Sequence, residues 1–142
     1  MTDRILVPFD GSPLSKRALE YTLERFRDAS ITAIYVIDPI DSIIAAEAGG
    51  IPSAQDWYDA AKKRATSVLG SAQDMAAADG IDLDVVTEVG QPAREILEQA
   101  HEYDVHQIVM GSHGRKGLDR AILGSVAERV TRRATVPVTI VR

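Results

Sequence analysis

Five short runs rich in apolar residues punctuate the chain: Ile5 to Phe9, Ile31 to Ile37, Leu83 to Val89, Gln107 to Met110 and Val136 to Val141. The first is continuous rather than alternating, the pattern of a central parallel strand buried on both faces. Between the runs, apolar residues return at helical spacing. Ala18, Leu19, Thr22, Leu23 and Phe26 share one helical face, and Ser12-Pro13 ahead of them supplies an N-cap followed by proline at the first helical position. From Trp57 the period runs through Ala61, Ala65, Val68, Ala72 and Met75, predicting the longest helix, with Gly80 placed to end it as a left-handed cap. A third helix follows Gly90-Gln91-Pro92 and carries Ala93, Ile96, Leu97 and Ala100. Val126, Val130 and Ala134 mark one face of the last helix, and Glu128 and Arg132 are spaced for an i,i+4 pair on another. The stretch from Ile40 to Gln55, with Gly49-Gly50 and Pro52, has no clear period, so a loop with one helical turn near Ile43 to Glu47 is expected there.

Five strands alternating with four helices imply an α/β fold: one doubly wound domain over residues 1 to 142, with a parallel sheet and helices on both faces. The common strand order for such a chain is 3-2-1-4-5. In that order the first and fourth strands are neighbours whose following loops turn to opposite faces, opening a crevice at their carboxyl ends. The residues at those ends are Asp10-Gly11-Ser12 and Gly111 to Gly114.

The second of these ends opens the most distinctive segment, GSHGRKGLDRAILGS from Gly111 to Ser125. Gly111, Gly114 and Gly124 stand between a strand and a helix. Glycines so placed let backbone N–H groups approach an anion, and a helix start adds unpaired N–H groups and the positive end of a dipole. The pattern points to a phosphate cradle.

Composition narrows the classes. The 142 residues carry a formal net charge of −5, which argues against wholesale binding to nucleic acid or anionic lipid, so any anion must be held locally. No run approaches the roughly 18 apolar residues of a membrane span, and the start MTDRILVPFD lacks the apolar core of a signal peptide, so a cytoplasmic protein is expected. There is no cysteine, hence no disulfide and no thiolate metal site. His101, His106 and His113 lack i,i+4 spacing, and no structural metal site is expected.

VPFDGS at Val7 to Ser12, GQPA at Gly90 to Ala93, and IVMGSHGRKG followed by LGSVAERV together resemble the universal stress protein family, in its ATP-binding branch. The resemblance spans the chain, and the spacing Gly-x2-Gly-x9-Gly-Ser matches the family's nucleotide motif without a gap. It implies a Rossmann-like fold of the adenine nucleotide alpha hydrolase kind. It further implies that Pro8, Phe9 and Asp10 lie along the adenosine, with Asp10 near the ribose or a phosphate-bound Mg2+, and that backbone groups of Val36 read the adenine edge. Met110 and Gly111 would flank the nucleoside, while Ser112, His113, Gly114 and Arg115 would surround the phosphates. Gly124, Ser125 and Val126 would complete the cradle. The ligand implied is ATP, or ADP or AMP, since the adenosine contacts would be shared. Val138 to Val141 would form a sheet edge that pairs across a homodimer.

Plainer roles stand beside these. Asp10 can serve by bonding backbone in its turn; Gly90 and Pro92 read as turn and helix-start residues; His113 reads as a loop residue facing solvent or phosphate. The fingerprints GxxxxGK[ST] and GxGxxG are absent, which argues against a P-loop motor or a dinucleotide dehydrogenase. A hydrolase built on Ser112, His113 and Asp119 is disfavoured, because adjacent side chains rarely face one another and no GxSxG elbow is present. The expectation is a nucleotide-dependent regulator, with a slow ATPase or a nucleotide-independent adaptor as the alternatives.

Overall fold

The computed structural model describes residues 2–49, 53–114 and 122–142. Among them the elements follow in the order β1 (Arg4–Pro8), α1 (Pro13–Arg25), β2 (Ser30–Ile37), α2 (Ile40–Glu47), α3 (Ala54–Ala78), β3 (Asp84–Val89), α4 (Pro92–Glu102), β4 (Gln107–Gly111), α5 (Ser125–Arg133) and β5 (Val138–Val141). The strands form one parallel sheet in the order β3-β2-β1-β4-β5, with Pro8 opposite Ile34, Leu6 opposite Ile108 and Val109 opposite Thr139. The expected order is the observed one.

The two-residue alternation of the strands divides the core in two. Ile5, Val7 and Phe9 of the first strand segment pack with Leu19 and Leu23 of α1 and with Ala65, Leu69, Ala72 and Ala76 of α3. Leu6, Ile34, Ile108 and Met110 point the other way, against Ala93, Ile96 and Ala100 of α4 and Ala127 and Val130 of α5. β1 is therefore buried on both sides, which is why its sequence is continuously apolar.

Local chemistry sets the helix ends. Ser12 Oγ accepts the Ser15 N–H at 3.3 Å ahead of Pro13, and Ser53 Oγ accepts the Asp56 N–H at 3.0 Å to start α3. α3 ends on Gly80 at φ +71°, with Ile81 N–H donating to Ala76 O and Gly80 N–H to Ala77 O, both at 2.9 Å. This pair of bonds is a Schellman cap. α4 ends the same way, but with Asp104 at φ +49° in the glycine position.

Two expectations differ from the structure. The segment after β2 holds a two-turn helix, α2, and α3 already begins at Ala54, so less of Ile40 to Gln55 is loop than its sequence suggests. No residue of α2 is buried; Ile40, Ile43 and Ile44 are all more than half exposed. Without a buried face there is no amphipathic stripe to read. β5 starts at Val138 rather than Val136, because Pro137 has no N–H to give the ladder, although its carbonyl still accepts from Ile108 at 2.9 Å. Among the described residues, no helix is long and apolar enough to cross a membrane.

Candidate functional site

α1, which follows β1, packs on one face of the sheet, and α5, the described helix after β4, packs on the other. The chain thus diverges above the carboxyl ends of two neighbouring strands, and a cleft of about 370 Å³ opens there. Its size falls within the range of about 300–1,000 Å³ usual for small-molecule sites. β1 and its exit contribute Pro8, Phe9 and Asp10; β2 contributes Val36; β4 and its exit contribute Met110, Gly111, Ser112, His113 and Gly114; the start of α5 contributes Gly124, Ser125 and Val126. The sequence-derived site residues are brought together in this one cleft, save Arg115, which lies outside the described residues together with Lys116 and Asp119. Phe9 is 1% exposed and belongs to the core under α1 and α3, so it anchors the β1 exit.

Each glycine of the motif sits where a side chain would collide. A Cβ on Gly111 would lie 2.9 Å from Leu14 Cβ, one on Gly114 would lie 2.7 Å from Asp10 Oδ2, and one on Gly124 would lie 2.8 Å from the Ser112 carbonyl oxygen. Gly111 lets α1 approach β4. Gly114 brings the β4 exit against the Asp10 carboxylate, whose Oδ1 accepts the Ser12 N–H at 2.9 Å. The turn-bonding role of Asp10 is therefore real, and its other oxygen still faces the glycine loop.

Gly124 corrects part of the cradle expected from sequence. Its N–H donates to Ser112 O at 2.8 Å, so it staples α5 to the β4 exit and is not a donor for a ligand. The first-turn N–H groups of Ser125, Val126 and Ala127 have no partner within the helix, and Gly124 provides no side-chain cap. They stand at the cleft with the positive end of the α5 dipole.

At the other end of the cleft, strand geometry explains Val36. Ile34 O accepts the Phe9 N–H at 2.8 Å, so the backbone polar groups of Ile34 face β1. Val36, two residues on, turns its N–H and C=O to the same side. β1 ends opposite Ile34, so these groups face the opening β1 has left.

Ser112 and His113 differ from expectation. Ser112 is 1% and His113 9% exposed, and Ser112 Oγ lies 3.2 Å from His113 Nδ1. The imidazole is packed inside the cleft wall, and the two adjacent side chains do meet. The cleft also includes residues that sequence reasoning missed as contacts: Asp38 and Asp41 beyond β2, and Gln91 with Pro92 at the start of α4. Pro92 is the first residue of α4, and Gln91 Oε1 caps it through the Arg94 N–H at 2.8 Å, so they are helix-start residues and cleft residues at once. The signal available for Asp38 was its position just past a strand's carboxyl end, the edge at which such folds bind ligands.

His106 lies at the opposite end of the sheet, where its Nδ1 accepts the Arg4 N–H at 2.9 Å. A second groove, lined by residues of α4 and α5, includes Arg94, Arg129 and Arg133, and none of the described residues of the two strand-exit loops lines it.

Comparison with known proteins agrees with this architecture. The model of the universal stress protein family matches residues 1–142. Universal stress protein MJ0531 of Methanocaldococcus jannaschii is 34% identical over 98% of this chain and 81% of its own length. The solved structure of MJ0577, from the same organism, superposes with a TM-score of 0.83 at 26% identity, covering 99% of this chain and 96% of that one. A universal stress protein solved in complex with cAMP superposes with a TM-score of 0.72 at 26% identity, covering 99% and 97%. The chain belongs to the universal stress protein family.

Proposed function

We propose that this chain binds ATP in the cleft between the β1 and β4 exits and acts as a nucleotide-dependent regulator in the stress response. The observation that carries the reading is the set of close approaches at Gly114 and Gly124. They bring the Asp10 carboxylate, the β4 exit and the first turn of α5 within one cleft, where backbone donors can surround an anion. In this reading the Val36 backbone meets the adenine edge, Pro8, Asp10, Met110 and Gly111 flank the nucleoside, and Ser125 and Val126 donate to the phosphates, with Arg115 expected beside them. That a family member of similar structure was solved with cAMP supports an adenine nucleotide as the ligand class.

Asp10 fits a role toward Mg2+. A single carboxylate at the phosphate end of the cleft suits an ion that keeps several waters and binds chiefly through phosphate oxygens. When bound, the ion would neutralise phosphate charge. Among the described residues no group of three or more His, Asp or Glu side chains is clustered to hold a metal without phosphate.

The regulator works as a homodimer through β5 in this reading. β5 lies at the edge of the sheet with its residues half-buried, and an edge presents unpaired backbone groups to a second copy. The net charge of −5 speaks for neither nucleic acid nor anionic membrane as partner, and the site of action is the cytoplasm.

Calorimetry on wild type and Gly114→Val tests the binding reading. Valine places Cβ 2.7 Å from Asp10 Oδ2 and adds two methyl groups, so ATP affinity should fall at least about tenfold with the fold intact. Unchanged affinity in a folded variant would refute it.

A further inference from the structure

The groove between α4 and α5 lies on the face of the sheet opposite α1 and α3, and at about 590 Å³ it exceeds the cleft of about 370 Å³. On its α4 side Arg94, Glu98 and Glu102 follow one another at four-residue intervals, a stripe down one side of the helix. Leu97 stands beside them, half-buried against the core under α4. From α5 the groove takes Arg129 and Arg133, one helical turn apart.

The charges in this groove are unequally matched. Arg94 Nε lies 3.5 Å from Glu95 Oε2 and 3.9 Å from Glu98 Oε1, so α4 supplies its own counter-charge there. Arg132 of α5 is taken by Glu128, and neither residue lines the groove. The side chains of Arg129, Arg133 and Glu102 are exposed and make no ion pair or hydrogen bond among the described residues. In a chain with 21 acidic and 16 basic side chains, two unpaired arginines one turn apart reverse the prevailing sign locally. Arginine is also the cation best shaped to meet a carboxylate at an interface.

We propose that this groove docks an amphipathic helix of a partner protein. The helix sets two carboxylates against Arg129 and Arg133, an apolar side chain on Leu97 and a basic side chain on Glu102. Acids four residues apart on a helix are spaced about 6 Å along its axis, the same rise that separates the two arginines. A third helix is the natural occupant, because the side-chain ridge of one helix seats between those of two others. The need for both signs gives selectivity: a uniform polyanion that reached the arginines would also meet Glu98 and Glu102. Gln91 lines both this groove and the cleft, and Ser125 to Ala127, just ahead of Arg129, line the cleft. The two sites share a framework, but the docking stands whatever the cleft binds.

Fluorescence anisotropy tests it with a dye-labelled, alanine-rich peptide of about 18 residues, long enough to be helical alone. The peptide carries two glutamates four residues apart, a leucine between them and a lysine; its twin has lysines in place of the glutamates. Wild type should bind the glutamate peptide about tenfold more tightly than the twin, and Arg129→Glu with Arg133→Glu should erase that preference. Both arginines are exposed, so this variant keeps its fold. Lys16→Glu with Arg17→Glu makes the same change in charge on exposed positions of α1, across the sheet, and should leave the preference intact. Equal binding of the two peptides, no binding of the glutamate peptide, or an equal loss from the α1 variant would overturn the proposal. Sedimentation closes the remaining case: the Arg129 and Arg133 variant should keep the oligomeric state of wild type, and a smaller species would put a second copy of the chain in the groove and overturn it too.

Discussion

Gly124→Ala isolates the close approach on which the site depends. Gly124 has φ −62° and ψ 155°, a conformation alanine adopts freely, so backbone strain plays no part. The added Cβ would stand 2.8 Å from Ser112 O, where ordinary contact begins near 3.4 Å, and the obstacle is backbone rather than a side chain that can swing away. The start of α5 must back off by about 0.6 Å, which stretches the 2.8 Å bond from Gly124 N–H to the same oxygen. Weakening that bond costs about 0.5–1.5 kcal/mol, and local overpacking adds about 1 kcal/mol or more. The reduced entropy of the unfolded chain returns about 0.4–1 kcal/mol. The net loss is about 1–2 kcal/mol, or a fall in Tm of roughly 3–6 °C for a chain of this size. The same displacement moves the Ser125 and Val126 N–H groups, so ATP affinity should drop about tenfold. Thermal melts followed by calorimetry read both numbers. A variant as stable as wild type with undiminished affinity would refute the steric argument and the cradle together.

Three further outcomes follow from particular residues. Gly70 lies inside α3 with nothing within 4 Å of a Cβ, so Gly70→Ala should stabilise the protein by about 0.5–1 kcal/mol in urea unfolding; it is also the control for Gly124, since the chemical change is identical. Asp104 occupies a left-handed position at φ +49°, and Asp104→Gly should raise stability by about 0.5–1 kcal/mol, with no gain if that cap is already unstrained. Val138→Asp puts a charge on the β5 edge and should yield monomer in sedimentation; an unchanged dimer would place the interface elsewhere.

The strands were legible because burial on both faces leaves continuous apolar runs, and β1, with Ile5, Leu6 and Val7 all essentially buried, is the clearest case. Helix starts at Ser12-Pro13 and Gln91-Pro92 were legible because capping is written in neighbouring residues. Of α2 only the turn from Ile43 to Glu47 was expected, since Ile40, Ile43 and Ile44 face solvent and its periodicity has no core to reflect. The motif glycines announced a cleft, but the structure was needed to show that Gly124 spends its N–H on Ser112 while Gly114 meets Asp10. Asp38, Asp41 and Gln91 join the site only through the folding of β2 and α4 toward the same opening, which no local spacing encodes. The meeting of Ser112 with His113 broke the general expectation for adjacent residues, because the chain is already leaving the extended strand at that point.

The most direct test of the central claim is to denature freshly purified protein, identify any released nucleotide by mass spectrometry, and titrate the stripped protein with ATP and Mg2+ by calorimetry. The account predicts close to one adenine nucleotide per chain, with rebinding at about micromolar Kd or tighter. Protein that carries no nucleotide and gives no binding heat would contradict it and leave the fold as a nucleotide-independent adaptor.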